Sequence, residues 1–156
     1  MDFRIFVAPC DNATAGRWLD PLDPDYDEAV AEISEDGQIE IFAPDHEGFE
    51  GFRSDSVWDL EMFAQRASAA SEPEAFVAYV LCTGYSPEEA SNHFDEAFAG
   101  EWGSEEAFAE QLADDTMEIP QRLQAYFDCA KFARDLFLGD YFSIDTSGGV
   151  YVFRHV

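Results

Sequence analysis

The amino-acid sequence predicts an α+β protein, with short strands near both ends of the chain and helices in the middle. Residues 3–8 and 141–154 contain runs of β-branched and aromatic side chains, which favour strands. Between them, apolar residues recur at helical spacing behind serines that can cap helices. The 156-residue chain is 47% hydrophobic and 15% aromatic, so it is too apolar for a disordered acidic tail and can bury one modest core or several small ones.

The N-terminal third predicts a small antiparallel sheet with one helix. We expect strands at 3–8 and 38–43, with a loop at 11–16 after the first. A helix is expected from about residue 25 to residue 34, ending at Gly37. Only residues 35–37 then separate this helix from the second strand, which leaves a short connection.

Asp23, Asp25 and Asp27 stand at the first, third and fifth positions of a possible EF-hand calcium loop. The remainder of that pattern fails, because Glu28 replaces the turn glycine and Ser34 replaces the bidentate glutamate. Aspartates in the first turn of a helix are instead stabilised by the helix dipole. We therefore favour the helical interpretation over a calcium site.

The second predicted strand is followed by an acidic, glycine-containing loop at 45–52. His46 lies between Asp45 and Glu47, where it could bind a metal ion or could be a solvated side chain. A lone histidine in an acidic loop is usually solvated, and we favour that interpretation.

Four helix starts are predicted in the middle of the chain. Each has a serine ahead of apolar residues at helical spacing, and the serines are Ser56, Ser71, Ser86 and Ser104. A glutamate three residues after Ser71 and after Ser86 predicts two capping boxes. Gly84 and Gly100 are expected at helix C-caps. Acids in these first turns therefore have a structural explanation, and they are Glu74, Glu88, Glu89, Glu105 and Glu106.

The charge of the chain is strongly one-sided. It has 34 Asp and Glu against 8 Lys and Arg, a formal net charge of −26. Such a charge excludes nucleic acid and anionic membranes as direct partners at ordinary salt, so an electrostatic partner must be basic.

One row of acids is only partly explained by a helix start, because Glu110 and Asp114 lie beyond the first turn of the predicted helix. Glu106, Glu110 and Asp114 are spaced four residues apart, which places them in one row on a helix face. Like charges at this spacing each cost about 0.2–0.5 kcal/mol, and no lysine or arginine occurs between Arg66 and Arg122 to offset them. Asp95, Glu96, Glu101 and Asp115 extend the pattern.

The C-terminal part predicts helices followed by a β-hairpin. A helix is expected from Pro120 to about residue 129, with helical structure continuing over 131–139. Strands at 141–145 and 150–154 flank a turn at 146–149. The aromatic side chains here form either a partner surface or an ordinary local core, and the sequence leaves both open.

Residues 119–145 combine a proline-led helix, an apolar helix with an arginine, and a step into a strand. The residues that carry these features are Pro120, Leu123, Tyr126, Phe127, Phe132, Arg134, Leu136, Tyr141 and Phe142. In this order, they resemble the ArdA family of antirestriction proteins. The Gly16-Arg17-Trp18 step and the loop from Asp45 to Phe49 are also similar to that family.

The resemblance implies an elongated chain of three small subdomains, at 1–55, 56–102 and 103–156. It implies a homodimer joined through the C-terminal subdomain, where the residues just named act as scaffold or dimer contacts. It also implies a non-enzymatic DNA mimic without a cofactor, which occupies the DNA-binding groove of type I restriction-modification enzymes and blocks restriction and, in some members, modification.

In that interpretation, exposed carboxylates imitate DNA phosphates. The acids assigned this role are Asp23, Asp25, Asp27, Glu28, Asp45, Glu47, Glu50, Asp95, Glu96, Glu101, Glu106, Glu110, Asp114 and Asp115. Spread evenly, the acids would each occupy ~230 Å² of surface, against ~110 Å² per charge on duplex DNA. Mimicry therefore requires the acids to be gathered on one face.

Two other functions are alternatives to the antirestriction function. An acidic inhibitor of another basic DNA-binding protein would have the same composition, and sequence does not separate it from an antirestriction protein. A carboxylate-dependent enzyme is less favoured, because the chain has no phosphate-binding glycine loop and no HExxH, and residues 84–88 lack the closing glycine of a nucleophile elbow.

The three cysteines, Cys10, Cys82 and Cys129, are far apart and form no CxxC motif. We expect them to be reduced and buried. No charged n-region with an apolar run opens the chain, and no apolar stretch is long enough to span a membrane, so we expect a cytoplasmic protein with no membrane partner.

Overall fold

In the computed structural model, residues 1–34, 38–42, 49 and 51–156 are described. They contain seven α-helices and two three-stranded antiparallel sheets, which confirms the predicted α+β class. The chain divides into two compact units, Met1–Asn92 and His93–Val156. The predicted division into three subdomains stays a prediction.

The N-terminal sheet consists of β1 (Ile5–Pro9), β2 (Arg17–Leu19) and β3 (Ile39–Phe42), in the order β2-β1-β3. Its central strand is the most apolar, and Ile5 and Val7 are fully buried. Helix α1 (Tyr26–Ser34) connects β2 to β3 and buries Tyr26, Val30 and Ile33. Both predicted strands and the predicted helix are confirmed within a few residues, whereas β2 was not predicted.

Two further helices lie entirely within the first unit. Helix α2 (Val57–Ala69) begins at Ser56, whose side chain accepts a hydrogen bond from the backbone N–H of Asp59, as expected of an N-cap. Helix α3 (Pro73–Thr83) ends at Gly84, which has the left-handed φ of 71° expected at a C-cap. The Tyr26 hydroxyl donates to the carbonyl of Val57 at 3.0 Å and so links α1 to α2.

The second sheet consists of β4 (Phe98–Trp102), β5 (Tyr141–Asp145) and β6 (Val150–Arg154), in the order β4-β6-β5. The predicted hairpin of β5 and β6 is therefore confirmed. Strand β4 pairs with β6 as the third strand of the sheet. Gly149 lies so close to the backbone of Trp102 that a Cβ atom there would come within 2.0 Å of the Trp102 carbonyl oxygen. This close approach explains why a glycine closes the hairpin turn.

Helix α4 (Pro87–Ala97) leads into β4, and helices α5 (Glu105–Thr116), α6 (Gln121–Gln124) and α7 (Cys129–Gly139) follow. Phe108 of α5 packs against Trp102, Phe137 and Tyr141, with ring centroids 4.9–5.9 Å apart. These aromatic contacts fix α5 and α7 against the sheet.

Two predicted caps are wrong. Helix α3 has Glu72 at its N-cap and Pro73 at its first position, so Ser71 is not its N-cap as predicted. Gly100 does not end a helix, because it lies inside β4 at a register shift with a φ of 104°. The capping box of Ser86 and Glu89 is confirmed, since each side chain accepts the other's backbone N–H.

The predicted helix from Pro120 to residue 129 is also wrong in extent. Helix α6 stops at Gln124, and a new helix begins at Cys129. Asp128 is the N-cap of α7, where it accepts a hydrogen bond from the backbone N–H of Lys131 at 3.0 Å.

The C-terminal aromatic residues mostly form a local core. Phe153 is fully buried and stacks on Phe142 at 5.3 Å, and Phe137 and Tyr141 are half-buried. Tyr126 and Leu138 are exceptions among the apolar residues of residues 119–154, because 84% and 79% of their surfaces are exposed.

Candidate functional site

Helix α5 carries both exposed acids and buried apolar residues. Glu106, Glu110 and Asp114 are exposed, as predicted, and we call these three residues the acid row. Phe108, Ala109 and Ala113 of the same helix are buried. The helix starts at Ser104, whose hydroxyl accepts a hydrogen bond from the backbone N–H of Ala107 at 3.1 Å.

Glu105, the acid next to the row, has a different environment. Its carboxylate accepts a hydrogen bond of 2.6 Å from the hydroxyl of Ser143 on β5. It therefore contributes to the attachment of α5 to the sheet, which is a structural role different from the expected stabilisation of the helix start.

The acid row lies beside the start of α7. The Cys129 thiol donates a weak hydrogen bond to the backbone carbonyl of Glu106, with the sulfur 3.7 Å from the oxygen. Partial burial raises the pKa of this thiol, and the carboxylates of Glu110, Glu106, Asp128 and Asp114 raise it further. The carboxylates of all three members of the acid row therefore raise the pKa of the same thiol, that of Cys129.

A cavity of about 600 Å³ opens in the second unit near the end of α5. Glu110, Asp114 and Glu118 contribute carboxylates to its lining, and Met117, Ile119 and Phe127 contribute apolar surface. Cys129 also lines it. Glu118 continues the four-residue spacing of the acid row and was missed, because it lies beyond the last helical residue, Thr116; the spacing itself could have found it.

The other predicted mimic acids of the second unit are also exposed. Asp95 and Glu96 belong to α4, and Glu101 belongs to β4. Asp115 lies on α5, where it accepts a hydrogen bond of 3.0 Å from the side chain of Gln111.

The described mimic acids of the first unit lie around the start of α1. Asp23 accepts a hydrogen bond from the backbone N–H of Asp25 at 3.0 Å, which stabilises the turn before the helix. Asp27 and Glu28 are exposed in its first turn. Asp27 also contributes to raising the pKa of Glu61, although desolvation of Glu61 is the larger cause. Asp45, His46, Glu47 and Glu50 lie outside the described residues.

The described mimic acids are not neutralised by ion pairs within the described part of the chain. The ion pairs found there join Arg4 to Asp2 at 2.7 Å and Arg17 to Glu32 at 2.5 Å. Neither pair involves a predicted mimic acid. The charge of these carboxylates is therefore available to a partner.

The residues of the family motif fall into two groups. Phe127 packs on Phe132 with ring centroids 5.5 Å apart, Tyr141 and Phe142 contact the aromatic core, and Leu136 is half-buried. The remaining members are exposed, and they are Pro120, Leu123, Tyr126 and Arg134. The first group is part of the scaffold of the second unit, and the second group is available for contacts.

The cysteines are not buried as expected. Cys10 and Cys82 are exposed, and Cys129 is half-buried. All three are free thiols. Among the described residues, no group of three or more His, Cys, Asp and Glu is arranged to hold a metal ion. Within that same part of the chain, no helix is both long and apolar enough to cross a membrane.

The fold and this surface define a class of protein: an α+β protein with exposed carboxylates that form no ion pair within the described residues. The family model described as antirestriction protein (ArdA) matches residues 12–151, so the chain belongs to the ArdA family of antirestriction proteins. Proteins of this family are inhibitors rather than enzymes, and they act on restriction-modification enzymes. No curated protein sequence matches the chain.

Proposed function

We propose that this protein mimics B-DNA and occupies the DNA-binding groove of type I restriction-modification enzymes, where it inhibits restriction and modification. The observation that carries the proposal is the acid row of α5, which is exposed and forms no ion pair within the described residues. A groove that binds DNA is lined by cations, and a surface of bare carboxylates competes for them.

The spacing of the acids limits how the mimicry works. Residues four apart on a helix are separated by ~6 Å along its axis, whereas duplex DNA carries a charge per ~1.7 Å of axis. One row therefore supplies too few charges. Asp95 and Glu96 on α4 and Glu101 on β4 add carboxylates within the same unit. Each acid contributes a small share, so single neutralisations have small effects.

The first experiment is competition for a purified type I methyltransferase. A labelled DNA duplex that contains the recognition site is bound to the enzyme at moderate salt, and the protein is titrated in. We expect the DNA to be displaced, with an affinity that falls as salt rises because ion contacts are screened. Retention of the DNA at all protein concentrations would disprove the proposal.

The same assay tests the acid row. Glu106→Gln, Glu110→Gln and Asp114→Asn together should raise the concentration needed for displacement by about tenfold, equivalent to about 1.4 kcal/mol. The matched control is Asp135→Asn, Asp140→Asn and Asp145→Asn, which changes the charge equally at exposed positions of the same unit. Circular dichroism checks that both variants are folded. Equal losses in the two variants would show that total charge, rather than the row, decides inhibition.

The rival function is inhibition of a different basic DNA-binding protein. The displacement assay repeated with an unrelated basic DNA-binding protein separates the two. We expect at least ten times more protein to be needed there, because a groove mimic gains affinity from shape as well as charge. Equal potency would favour general sequestration of basic proteins.

We also propose that the protein is a homodimer joined through the segment 103–156. Tyr126 and Leu138 expose 84% and 79% of their surface in this segment, which is large for apolar side chains. Sedimentation velocity should report a dimer that Tyr126→Ser with Leu138→Ser weakens. Trp58→Ser, at a residue 53% exposed in the other unit, is the control and should leave the dimer intact.

A further inference from the structure

The cavity beside the acid row differs from a simple phosphate-like surface because apolar residues line it as well as acids. Met117, Ile119 and Phe127 line it together with Glu110, Asp114 and Glu118. Among the described residues, no lysine or arginine lines it. A surface that only imitates phosphates does not require apolar residues in a cavity.

The lining selects one kind of occupant. Lysine and arginine place an aliphatic stem against apolar surface while their charged end stays among polar groups. Here the stem would contact Met117, Ile119 and Phe127, and the charged end would lie among the carboxylates of Glu110, Asp114 and Glu118. These carboxylates do not form a group suited to a metal ion among the described residues. An extended organic cation fits the cavity better than a compact ion.

The volume of the cavity and the electrostatic potential at its wall are both suited to a lysine or arginine side chain. Its volume of about 600 Å³ lies inside the ~300–1,000 Å³ range of ligand pockets, so it has room for a long side chain and part of its backbone. The raised pKa of the Cys129 thiol, caused by partial burial and then by the neighbouring carboxylates, reports a negative potential at the cavity wall.

We propose that this cavity receives a lysine or arginine side chain from a basic segment of the restriction-modification enzyme, and so anchors the protein in the groove. The inference rests on the proposed function, since that function supplies the basic partner. It adds a site with a fixed position to an interaction that is otherwise spread over many charges.

The test uses Cys129, because it lines the cavity and carries no charge as a thiol. In a Cys10→Ser, Cys82→Ser background it is the only thiol of the chain. Its alkylation by the uncharged reagent N-ethylmaleimide is timed with and without saturating type I methyltransferase. We expect the enzyme to slow the reaction at least tenfold.

A second measurement fills the cavity without changing charge. Met117→Trp should raise the concentration needed to displace DNA by about tenfold. Met62→Trp is the matched control, since Met62 on α2 is 39% exposed and Met117 is 40% exposed. The control should displace DNA as well as the unmodified protein does.

The outcomes separate the anchor from the function. If the protein displaces DNA but Cys129 is not protected, or Met117→Trp displaces DNA as well as Met62→Trp, the anchor is disproved and the proposed function stands. If the unmodified protein does not displace DNA, the proposed function fails and the anchor for this enzyme fails with it. Protection that grows with protein concentration in the absence of enzyme would assign the cavity to a second copy of the chain and overturn the anchor.

Discussion

Cys129 is a residue through which the electrostatics of the acid row can be measured. Its thiol pKa is raised first by partial burial and then by Glu110, Glu106, Asp128 and Asp114. A raised thiol pKa means less thiolate at a given pH, and the thiolate is the reactive form. Neutralising Glu110 and Asp114 should therefore lower the pKa and speed alkylation at mildly alkaline pH.

The measurement is the pH dependence of iodoacetamide alkylation in the Cys10→Ser, Cys82→Ser background. Glu110→Gln with Asp114→Asn should shift the rate profile to lower pH. Asp115→Asn is the control, because Asp115 lies on the same helix but does not contribute to the raised pKa. An equal shift in the control, or no shift in the double variant, would show that the row does not face the thiol.

The burial of single residues was the least predictable property. Free cysteine is among the most buried residue types, which is why all three were expected inside. Cys82 nevertheless lies on the outer side of α3, whose buried residues are Ala75, Phe76, Val77, Tyr79 and Val80. The position on a helix face outweighs the average preference of the residue type.

At the scale of elements, helix starts provide a matched pair of substitutions. Ser104 caps α5 by accepting a hydrogen bond from the backbone N–H of Ala107. In contrast, the N-cap of α3 is Glu72 and not Ser71. Ser104→Ala should therefore cost about 1 kcal/mol of stability, and Ser71→Ala should cost much less. Thermal unfolding followed by circular dichroism measures both. A loss at Ser71 as large as at Ser104 would mean that Ser71 does stabilise the start of α3.

The elements that sequence predicted well are those fixed by local interactions. Serine caps and helical apolar spacing located α2, α4 and α5, because both signals lie within a few residues of each helix start. Strand β4 was missed because its partner is β6, about fifty residues further along the chain, as the pairing of Glu101 with Tyr151 shows. Gly100 did signal a positive φ, but the φ belongs to an irregular strand pairing instead of a helix end.

The candidate site was predictable for a similar reason. The four-residue spacing of the acid row is a local pattern, and its exposed position on α5 agrees with it. The cavity beside the row was not predictable, because residues from α5, α6 and the start of α7 must come together to line it. Which exposed acids act as phosphate mimics stays a prediction, since exposure does not by itself assign that role.

At the scale of the whole molecule, the net charge of −26 opposes folding. The Debye length is ~30 Å at 0.01 M salt and ~8 Å at 0.15 M, so added salt removes repulsion between distant acids first. Neighbours in the acid row are only ~6 Å apart along the helix and remain partly unscreened. The melting temperature should therefore rise between these salt concentrations and keep rising more slowly above them.

Differential scanning calorimetry in sodium chloride and in potassium chloride at equal ionic strength separates screening from specific ion binding, because screening is the same in both.

The acid-row triple variant should have a higher melting temperature than the unmodified protein at low salt. Its melting temperature should rise less with added salt, since it has less charge to screen. The melting temperature of the Asp135, Asp140 and Asp145 control variant should rise more with salt than that of the acid-row variant. Lys131 and Arg134 on α7 already offset part of the charge of these three aspartates, so replacing them removes less repulsion. A melting temperature that stays flat from 0.01 M to 0.15 M salt would mean that the acids do not repel one another appreciably, and would remove the dense carboxylate surface that DNA mimicry requires.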